Sequence, residues 1–186
     1  MKKTVLICLV LHSFFCFSQA KKVPDVFEEA YVVTLKGDTL RGQIKIPPVK
    51  KLELYQKISF KDKTNKIKPY TSDRIKGYGY NSYYYISAFH NNKSCFFKVL
   101  SIGQLSLFMT KFEVLDEGET HEVHEYCYML EKGDGQFKIL EAKGLKKQLK
   151  DLFKSNKTLA QKINDQKEIP FNEETLEAYF KEFNQQ

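Results

Sequence analysis

Hydrophobic and polar residues alternate along much of the chain, most sharply within residues 31–47. Two alternating runs meet there at Gly37-Asp38, and a two-residue loop containing glycine is typical of a tight β-hairpin. Closing the chain at this dipeptide pairs Val33 with Gly42. The glycine leaves a gap there, which predicts a bend, a bulge or the close approach of another strand. This register places six residues on one apolar face: Tyr31, Val33, Leu35, Leu40, Ile44 and Ile46.

The alternation continues downstream and predicts further antiparallel strands joined by short turns. These strands are predicted at residues 57–61, 66–70, 94–100, 104–112, 125–130 and 136–142. The order of strands and turns over residues 31–78 resembles SH3-like and Sm-like small barrels, a resemblance of topology that carries no catalytic residue. We therefore predict an α+β, mainly β fold, with an antiparallel rolled sheet or small barrel in residues 21–143.

The period of the apolar positions changes to a helical one after residue 143. Asn172 stands before Glu173 and Glu174, which is the pattern of an N-cap followed by an acidic first turn. Two or three short helices are therefore expected in residues 144–186. We expect them to pack on the sheet within the same domain, because amphipathic helices that follow a sheet bury their apolar side against it. A tail that docks on a partner is the alternative.

The N-terminal stretch 1–20 has the three parts of a secretory signal peptide. Lysines occupy positions 2–3, residues 5–17 form an apolar core interrupted by His12 and Ser13, and small residues stand at Ser18 and Ala20. We predict cleavage after Ala20 and export to the periplasm, to an outer-membrane-associated location or into the medium.

Two alternatives to a cleaved signal peptide are weaker. An uncleaved anchor is disfavoured because the apolar stretch is short for the ~20 residues that a membrane span needs. Lipid attachment at Cys16 is disfavoured because the bulky Phe15 precedes it. The mature chain is therefore predicted to have no transmembrane segment.

The charge balance is basic, with the excess concentrated in the first half of the predicted sheet. The chain has 30 basic and 23 acidic residues, and cleavage would remove two lysines and no acid, leaving +5. Residues 36–76 contain 12 Lys and Arg but four acids. Such a surface suits anionic partners, namely lipid headgroups, acidic glycans or nucleic acid. We favour a role of these lysines in solubility and edge protection, and the predicted export argues against a nucleic-acid partner.

Residues 77–89 form the aromatic stretch of the chain. Exposed tyrosines stack on sugar rings or bases, and their hydroxyls orient the ligand. Alternation puts Tyr83 and Tyr85 on one face and Tyr84 and Ile86 on the other, and one of these sets is expected in the core. The candidate ligand-binding residues are Tyr78, Tyr80, Tyr83, Tyr84 and Tyr85.

Cysteine and histidine are sparse. Cys95 and Cys127 remain after the predicted cleavage, and an oxidising compartment would allow them to form a disulfide. The alternative is two small buried core residues. The run 121–125 has histidines three apart, whereas a zinc-protease helix needs them four apart. We interpret this run as part of a solvated acidic loop, 113–125, and predict no metal and no cofactor.

The sequence contains no phosphate-binding glycine loop, G-x-S-x-G turn or C-x-x-C pair. The leading interpretation is a non-enzymatic binding or structural module that acts on an unknown envelope component: a protein, a glycan or a lipid. One alternative is a glycan or lipid binder that uses the tyrosine strand and the basic sheet face. The other is a small metal-dependent or carboxylate hydrolase.

Several motifs together resemble a known family. They are V-x-L-K-G-D-T-L-x-G-x-I at 33–44, K-I-S-F-K-D at 57–62 and Y-T-S-D-x-I-K-G-Y at 70–78. With the signal peptide and the helical tail, they are similar to a family of uncharacterised exported proteins of Gram-negative bacteria. The resemblance covers most of the mature chain. It implies a location in the cell envelope and assigns no activity to any residue.

Overall fold

The structure is a computed structural model that describes residues 24–47, 51–115 and 121–185. The predicted signal peptide, its cleavage site after Ala20 and the centre of the acidic segment lie outside these residues. Within them, ten antiparallel strands form a single open sheet. The strands are β1 (Val26–Thr34), β2 (Thr39–Ile46), β3 (Lys57–Lys61), β4 (Ile67–Thr71), β5 (Ile75–Tyr80), β6 (Tyr83–His90), β7 (Lys93–Ser101), β8 (Leu105–Leu115), β9 (His121–Glu131) and β10 (Lys138–Leu140).

The strand order is β10-β9-β8-β7-β6-β5-β1-β2-β3-β4. Strands β1 to β4 and strands β5 to β10 each follow one another in the sheet, and β1 joins the two halves by pairing with β5. The predicted α+β, mainly β class is confirmed. Of the two predicted forms of the sheet, the closed barrel is wrong, because β4 and β10 remain as free edges of the sheet.

The first hairpin forms where the alternation predicts it, but its register is different. Gly42 pairs with Ala30 instead of Val33, and Val33 pairs with Thr39. The connection is therefore longer than two residues, and it is closed by a hydrogen bond from the Thr34 amide to the Asp38 carbonyl at 2.9 Å. The register differs from the predicted one by an odd number of residues, which turns the other face of β1 toward the core.

The buried face of this hairpin consists of Ala30, Val32, Ile44 and Ile46, while Leu35 and Leu40 are exposed. Tyr31 lies on the opposite face, where its ring covers Gly79. A Cβ atom on that glycine would lie 2.5 Å from the Tyr31 ring. The Tyr31 ring therefore packs on Gly79 of β5, where there is no side chain in its way. The sequence pattern of β1 and β2 alone does not predict this contact, because β5 lies outside the hairpin.

The acidic segment, predicted as a loop over 113–125, is mostly strand at its two ends. Glu113 pairs with Val123, and Lys111 pairs with Glu125. The glutamates fit because strand residues at this end of the sheet remain accessible to water, and Glu125 forms an ion pair with Lys111. Charge at these positions marks an exposed part of a long hairpin rather than the absence of regular structure.

Three helices follow the sheet: α1 (Leu145–Leu152), α2 (Lys157–Asp165) and α3 (Glu173–Asn184). Their apolar sides form one buried cluster with Leu107, Met109 and Cys127 of the sheet. The predicted N-cap of α3 is confirmed, since the Asn172 side chain accepts a hydrogen bond from the Thr175 amide at 2.9 Å. None of the described helices is long and apolar enough to cross a membrane.

A second cluster consists of buried residues of β1, β2, β3, β5, β6 and β7 together with a 3₁₀ segment, Lys51–Tyr55, that packs on these strands. The Tyr78 hydroxyl donates a 2.6 Å hydrogen bond to the Leu54 carbonyl. Residues around Phe97 and Phe108 form a third cluster. Because strand side chains alternate between faces, this third cluster lies on the side of β7 and β8 opposite to the helices.

Candidate functional site

Four of the five candidate tyrosines lie on one face of the β5–β6 pair. Tyr78 is opposite Tyr85, and Tyr80 is opposite Tyr83. Tyr78, Tyr80 and Tyr85 are buried, whereas Tyr83 is 45% exposed. Tyr84 lies on the other face, half-buried and stacked on Tyr31 with ring centroids 6.2 Å apart. The five residues therefore form no single exposed platform.

The buried tyrosines form a stack that ends at Tyr83. The ring planes of Tyr78 and Tyr85 are nearly parallel, with centroids 4.6 Å apart, and Tyr80 stacks at 6.0 Å from Tyr85. Burial raises the pKa of Tyr78, Tyr80 and Tyr85. Their hydroxyls therefore stay protonated at neutral pH and keep their ability to donate hydrogen bonds.

A cleft opens beside this stack, between the sheet, the 3₁₀ segment and the start of α3. Its volume is about 460 Å³, within the range of ~300–1,000 Å³ that small-molecule sites occupy. Its aromatic lining consists of Tyr55, Tyr80, Tyr83 and Tyr85. Its charged lining consists of Lys51, Lys98, Lys111, Glu113 and Glu173.

Lys98 is the central charge of the cleft. It is buried on β7, and its ammonium group forms an ion pair with Glu173 in the first turn of α3. The same ammonium group lies 4.0 Å from the centroid of the Tyr83 ring, a cation–π distance. The strand, the helix and the exposed tyrosine are thus held together by one cation, which fixes the orientation of the Tyr83 ring.

Three residues of the cleft were not among the candidate site residues: Lys98, Glu173 and Tyr55. A signal for Lys98 was present, because it is the one charged residue inside the apolar run 95–100. A lysine in such a strand has to meet a carboxylate when it is buried. The identity of that carboxylate was not accessible, since Glu173 follows 75 residues later in the chain.

Neither His90 nor His124 lines the cleft. His90 lies on the opposite face of the sheet, stacked on Phe112 at 4.7 Å and hydrogen-bonded to the Tyr128 hydroxyl. Desolvation lowers the pKa of His90. His124 is exposed, 3.7 Å from a carboxylate oxygen of Glu122. Across the described ranges, no group of three His, Cys, Asp or Glu side chains is placed to hold a metal ion.

Cys95 and Cys127 are both buried and both free, so the disulfide is not formed, and the two residues are buried core residues, as in the alternative interpretation. They belong to different clusters, because alternation directs Cys95 to one face of the sheet and Cys127 to the other. Their strands, β7 and β9, are separated by β8. Two strand spacings of about 4.8 Å exceed the ~7 Å between Cα atoms that a disulfide can span.

Both thiols are expected to resist labelling in the folded protein. Burial raises the pKa of Cys127 to about 12 and that of Cys95 above its ordinary value. Since the thiolate is the reactive species, a thiol-specific disulfide reagent should react slowly with native protein at pH 8. In guanidinium chloride without reductant, it should titrate two thiols in the chain of residues 21–186. Absence of reactive thiols in denaturant would contradict the free state.

The same shifts predict the sign of a pH effect on stability. An unfolded cysteine loses its proton near pH 8.5, while the buried thiols keep theirs. The unfolded state therefore binds fewer protons above this pH, and the free energy of unfolding falls as the pH rises further. Urea unfolding from pH 7 to 10 measures this decrease, to which the buried tyrosines contribute above about pH 10.

Comparison of the chain with protein-family models, with curated proteins and with solved structures gives no match. The resemblance of its motifs to a family of exported proteins therefore stays a prediction. Function has to follow from the geometry of the cleft and from the charges that line it.

Proposed function

We propose that this protein is an exported, non-enzymatic binding protein of the cell envelope that holds a glycan in the tyrosine-lined cleft. Export rests on the charged, apolar and small residues at the N-terminus. Binding rests on one observation: four tyrosines, three lysines and two glutamates line the same cleft. The bound component is a hydroxylated ring compound, such as an envelope oligosaccharide.

The aromatic part of the cleft suits a sugar ring. Tyr83 keeps a large part of its ring exposed, and the cation of Lys98 at 4.0 Å restricts its orientation. Stacking on such an oriented ring gains contact area without much loss of side-chain entropy. The protonated hydroxyl of Tyr80 is a donor for the ring substituents.

The polar part of the cleft favours a glycan over an acyl chain. Ammonium groups donate hydrogen bonds and carboxylates accept them, so Lys111 and Glu173 together match hydroxyl groups, which do both. An acyl chain would leave these polar groups desolvated and without new partners. The lysines also admit a glycan that carries carboxylates.

The proposal is tested by titrating the mature chain, residues 21–186, with envelope-type oligosaccharides. Suitable probes are oligosaccharides of N-acetylglucosamine, of uronic acids and of the lipopolysaccharide core. Tyrosine fluorescence reports binding directly because the chain has no tryptophan, and calorimetry confirms it. Tyr83→Ala should weaken binding about tenfold through loss of stacking. Phe89→Ala, on the same strand and outside the cleft, should bind like the wild type.

Three outcomes would overturn the proposal. The first is no saturable binding of any probe, and the second is equal affinity of the Tyr83→Ala variant and the wild type. The third is shortening of an oligosaccharide during the titration, with loss of this activity in Glu113→Gln or Glu173→Gln. That result would favour the hydrolase alternative, since both glutamates line the cleft.

A further inference from the structure

Two connections meet at the end of the sheet remote from the cleft. β2 and β3 pair antiparallel, with Gln43 opposite Lys61, so the connection before β2 and the connection after β3 lie side by side. We call residues 35–41 and 61–68 the basic tip. The cleft lies toward the opposite end of β1, where Ala30 pairs with Tyr80, one of the residues that line the cleft.

The basic tip exposes aliphatic side chains. Leu35 is 57% exposed, Leu40 is 42% exposed and Ile67 is 55% exposed. Single exposed aliphatic residues are ordinary on protein surfaces. These three stand at the same end of the sheet, with Leu40 on one face and Ile67 on the other according to the strand register, so an end-on contact would bury them together. Residues that serve only solubility would be polar at these turn and edge positions.

The basic tip contains six cations: Lys36, Arg41, Lys61, Lys63, Lys66 and Lys68. The ammonium group of Lys61 lies over the Phe27 ring at 4.3 Å, so the other five are the cations available to a partner. The acids of the tip are Asp38 and Asp62. The Asp62 carboxylate accepts hydrogen bonds within its own turn, from the Thr64 amide at 2.8 Å and the Lys66 amide at 3.1 Å. The hydrogen bond from the Thr64 hydroxyl at 2.6 Å, together with these two backbone bonds, holds the pKa of Asp62 below its ordinary value. In the described part of the chain, no carboxylate forms an ion pair with Arg41, Lys63 or Lys68.

A depression of about 410 Å³ lies within the tip. Its apolar wall includes Phe60 and Tyr70, whose ring centroids are 6.1 Å apart. Its charged lining consists of Arg41, Lys63 and Lys68, together with Asp62. The depression thus combines an apolar wall with cations, which is the chemistry of an anionic headgroup attached to a hydrocarbon chain.

We propose that the basic tip docks on an anionic lipid surface. The cations lie against the phosphate groups, and Leu35, Leu40 and Ile67 enter the boundary between headgroups and acyl chains. Cations near an anionic bilayer each contribute to binding, and apolar side chains add to it when they leave water. Nucleic acid fits less well, because phosphate contacts leave exposed aliphatic side chains in water. Docked in this way, the protein keeps its cleft open to solvent.

The test is flotation of the mature chain with vesicles of phosphatidylcholine alone and with a quarter of phosphatidylglycerol. We expect binding to the anionic vesicles, and weaker binding as salt is raised. The charge variant Arg41→Gln/Lys63→Gln/Lys68→Gln should lower the partition coefficient about 100-fold. The aliphatic variant Leu35→Asn/Ile67→Asn should lower it about tenfold.

Matched controls carry the same chemical changes elsewhere. Lys143→Gln/Lys147→Gln/Lys154→Gln removes three exposed lysines of the helical segment, and Phe89→Asn removes an exposed apolar side chain. Both should bind vesicles like the wild type. Tyr83→Ala should bind vesicles like the wild type, because Tyr83 lines the cleft and not the depression in the tip. Vesicle binding therefore tests the lipid proposal independently of the glycan proposal.

Three outcomes would overturn the proposal: no binding to anionic vesicles, equal loss in the matched lysine control, or unchanged binding of the aliphatic variant. Titration with inorganic phosphate and glycerol phosphate separates a surface from a free anion. Tight binding of either compound, unaffected by Leu35→Asn/Ile67→Asn, would identify an anion site and contradict docking on a membrane. Circular dichroism of each variant verifies that the sheet is intact.

Discussion

Phe180→Ala is expected to lower the free energy of unfolding by about 3–5 kcal/mol, the usual cost of removing a buried phenylalanine ring. Phe180 is fully buried in α3, and its ring packs edge-to-face against Phe153 with centroids 5.2 Å apart. It belongs to the cluster that joins the three helices to the sheet. The total stability of a domain is about 5–15 kcal/mol, so this loss is a large fraction of it.

Urea unfolding followed by far-ultraviolet circular dichroism and tyrosine fluorescence measures this effect. Phe89→Ala is the matched control, because Phe89 is 70% exposed, and it should change the free energy of unfolding by less than about 0.5 kcal/mol. A loss below 1 kcal/mol for Phe180→Ala would contradict the packing of α3 on the sheet. Separate transitions for the two probes would show that the helices unfold before the sheet.

Gly42→Val is expected to destabilise the protein by about 3 kcal/mol or more, through overpacking. A Cβ atom at Gly42 would lie 2.3 Å from the Lys61 carbonyl oxygen and 2.7 Å from the Phe60 ring. The first of these atoms belongs to the backbone of β3, so relief requires movement of that strand. β2 and β3 share two residue pairs, Gln43–Lys61 and Ile44–Phe60. Separation of these strands would expose the second cluster, to which Ile44 and Phe60 belong.

Thermal unfolding and amide hydrogen exchange test this expectation together. Arg41→Val introduces the same side chain at an exposed position of the same strand and should leave stability nearly unchanged. In Gly42→Val, protection should fall first in β3 and β4. Wild-type stability of Gly42→Val would mean that β3 does not approach β2 at this glycine.

The gap at Gly42 was visible in the sequence, and the structure confirms one of the three causes that it predicted, the close approach of a neighbouring strand. The partner of Gly42 was not visible. Alternation gives a period of two within a strand and says nothing about how two strands are offset. A two-residue turn and the observed turn, which closes between Thr34 and Asp38, both satisfy the apolar pattern of β2. The observed register places the Tyr31 ring over Gly79 of β5, a contact outside the hairpin.

The arrangement of the tyrosines likewise depends partly on local sequence and partly on tertiary contacts. That Tyr83 and Tyr85 share a face follows from alternation alone. That Tyr85 is buried while Tyr83 is exposed depends on the 3₁₀ segment, whose Tyr55 packs on Tyr85 with ring centroids 5.6 Å apart. A 3₁₀ segment of five residues has no periodic apolar pattern that would predict it from the sequence.

By itself, the sequence determined the mainly β class, the approximate places of most strands and the helical character of the C-terminal segment with the cap at Asn172, because each depends on residues close together along the chain. Only the tertiary structure decided the register of the first hairpin, the separation of Cys95 from Cys127 and the pairing of Lys98 with Glu173. These depend on contacts between segments far apart in sequence, where many pairings bury similar apolar area. Packing of the whole sheet selects among them, and the cleft exists only after that selection.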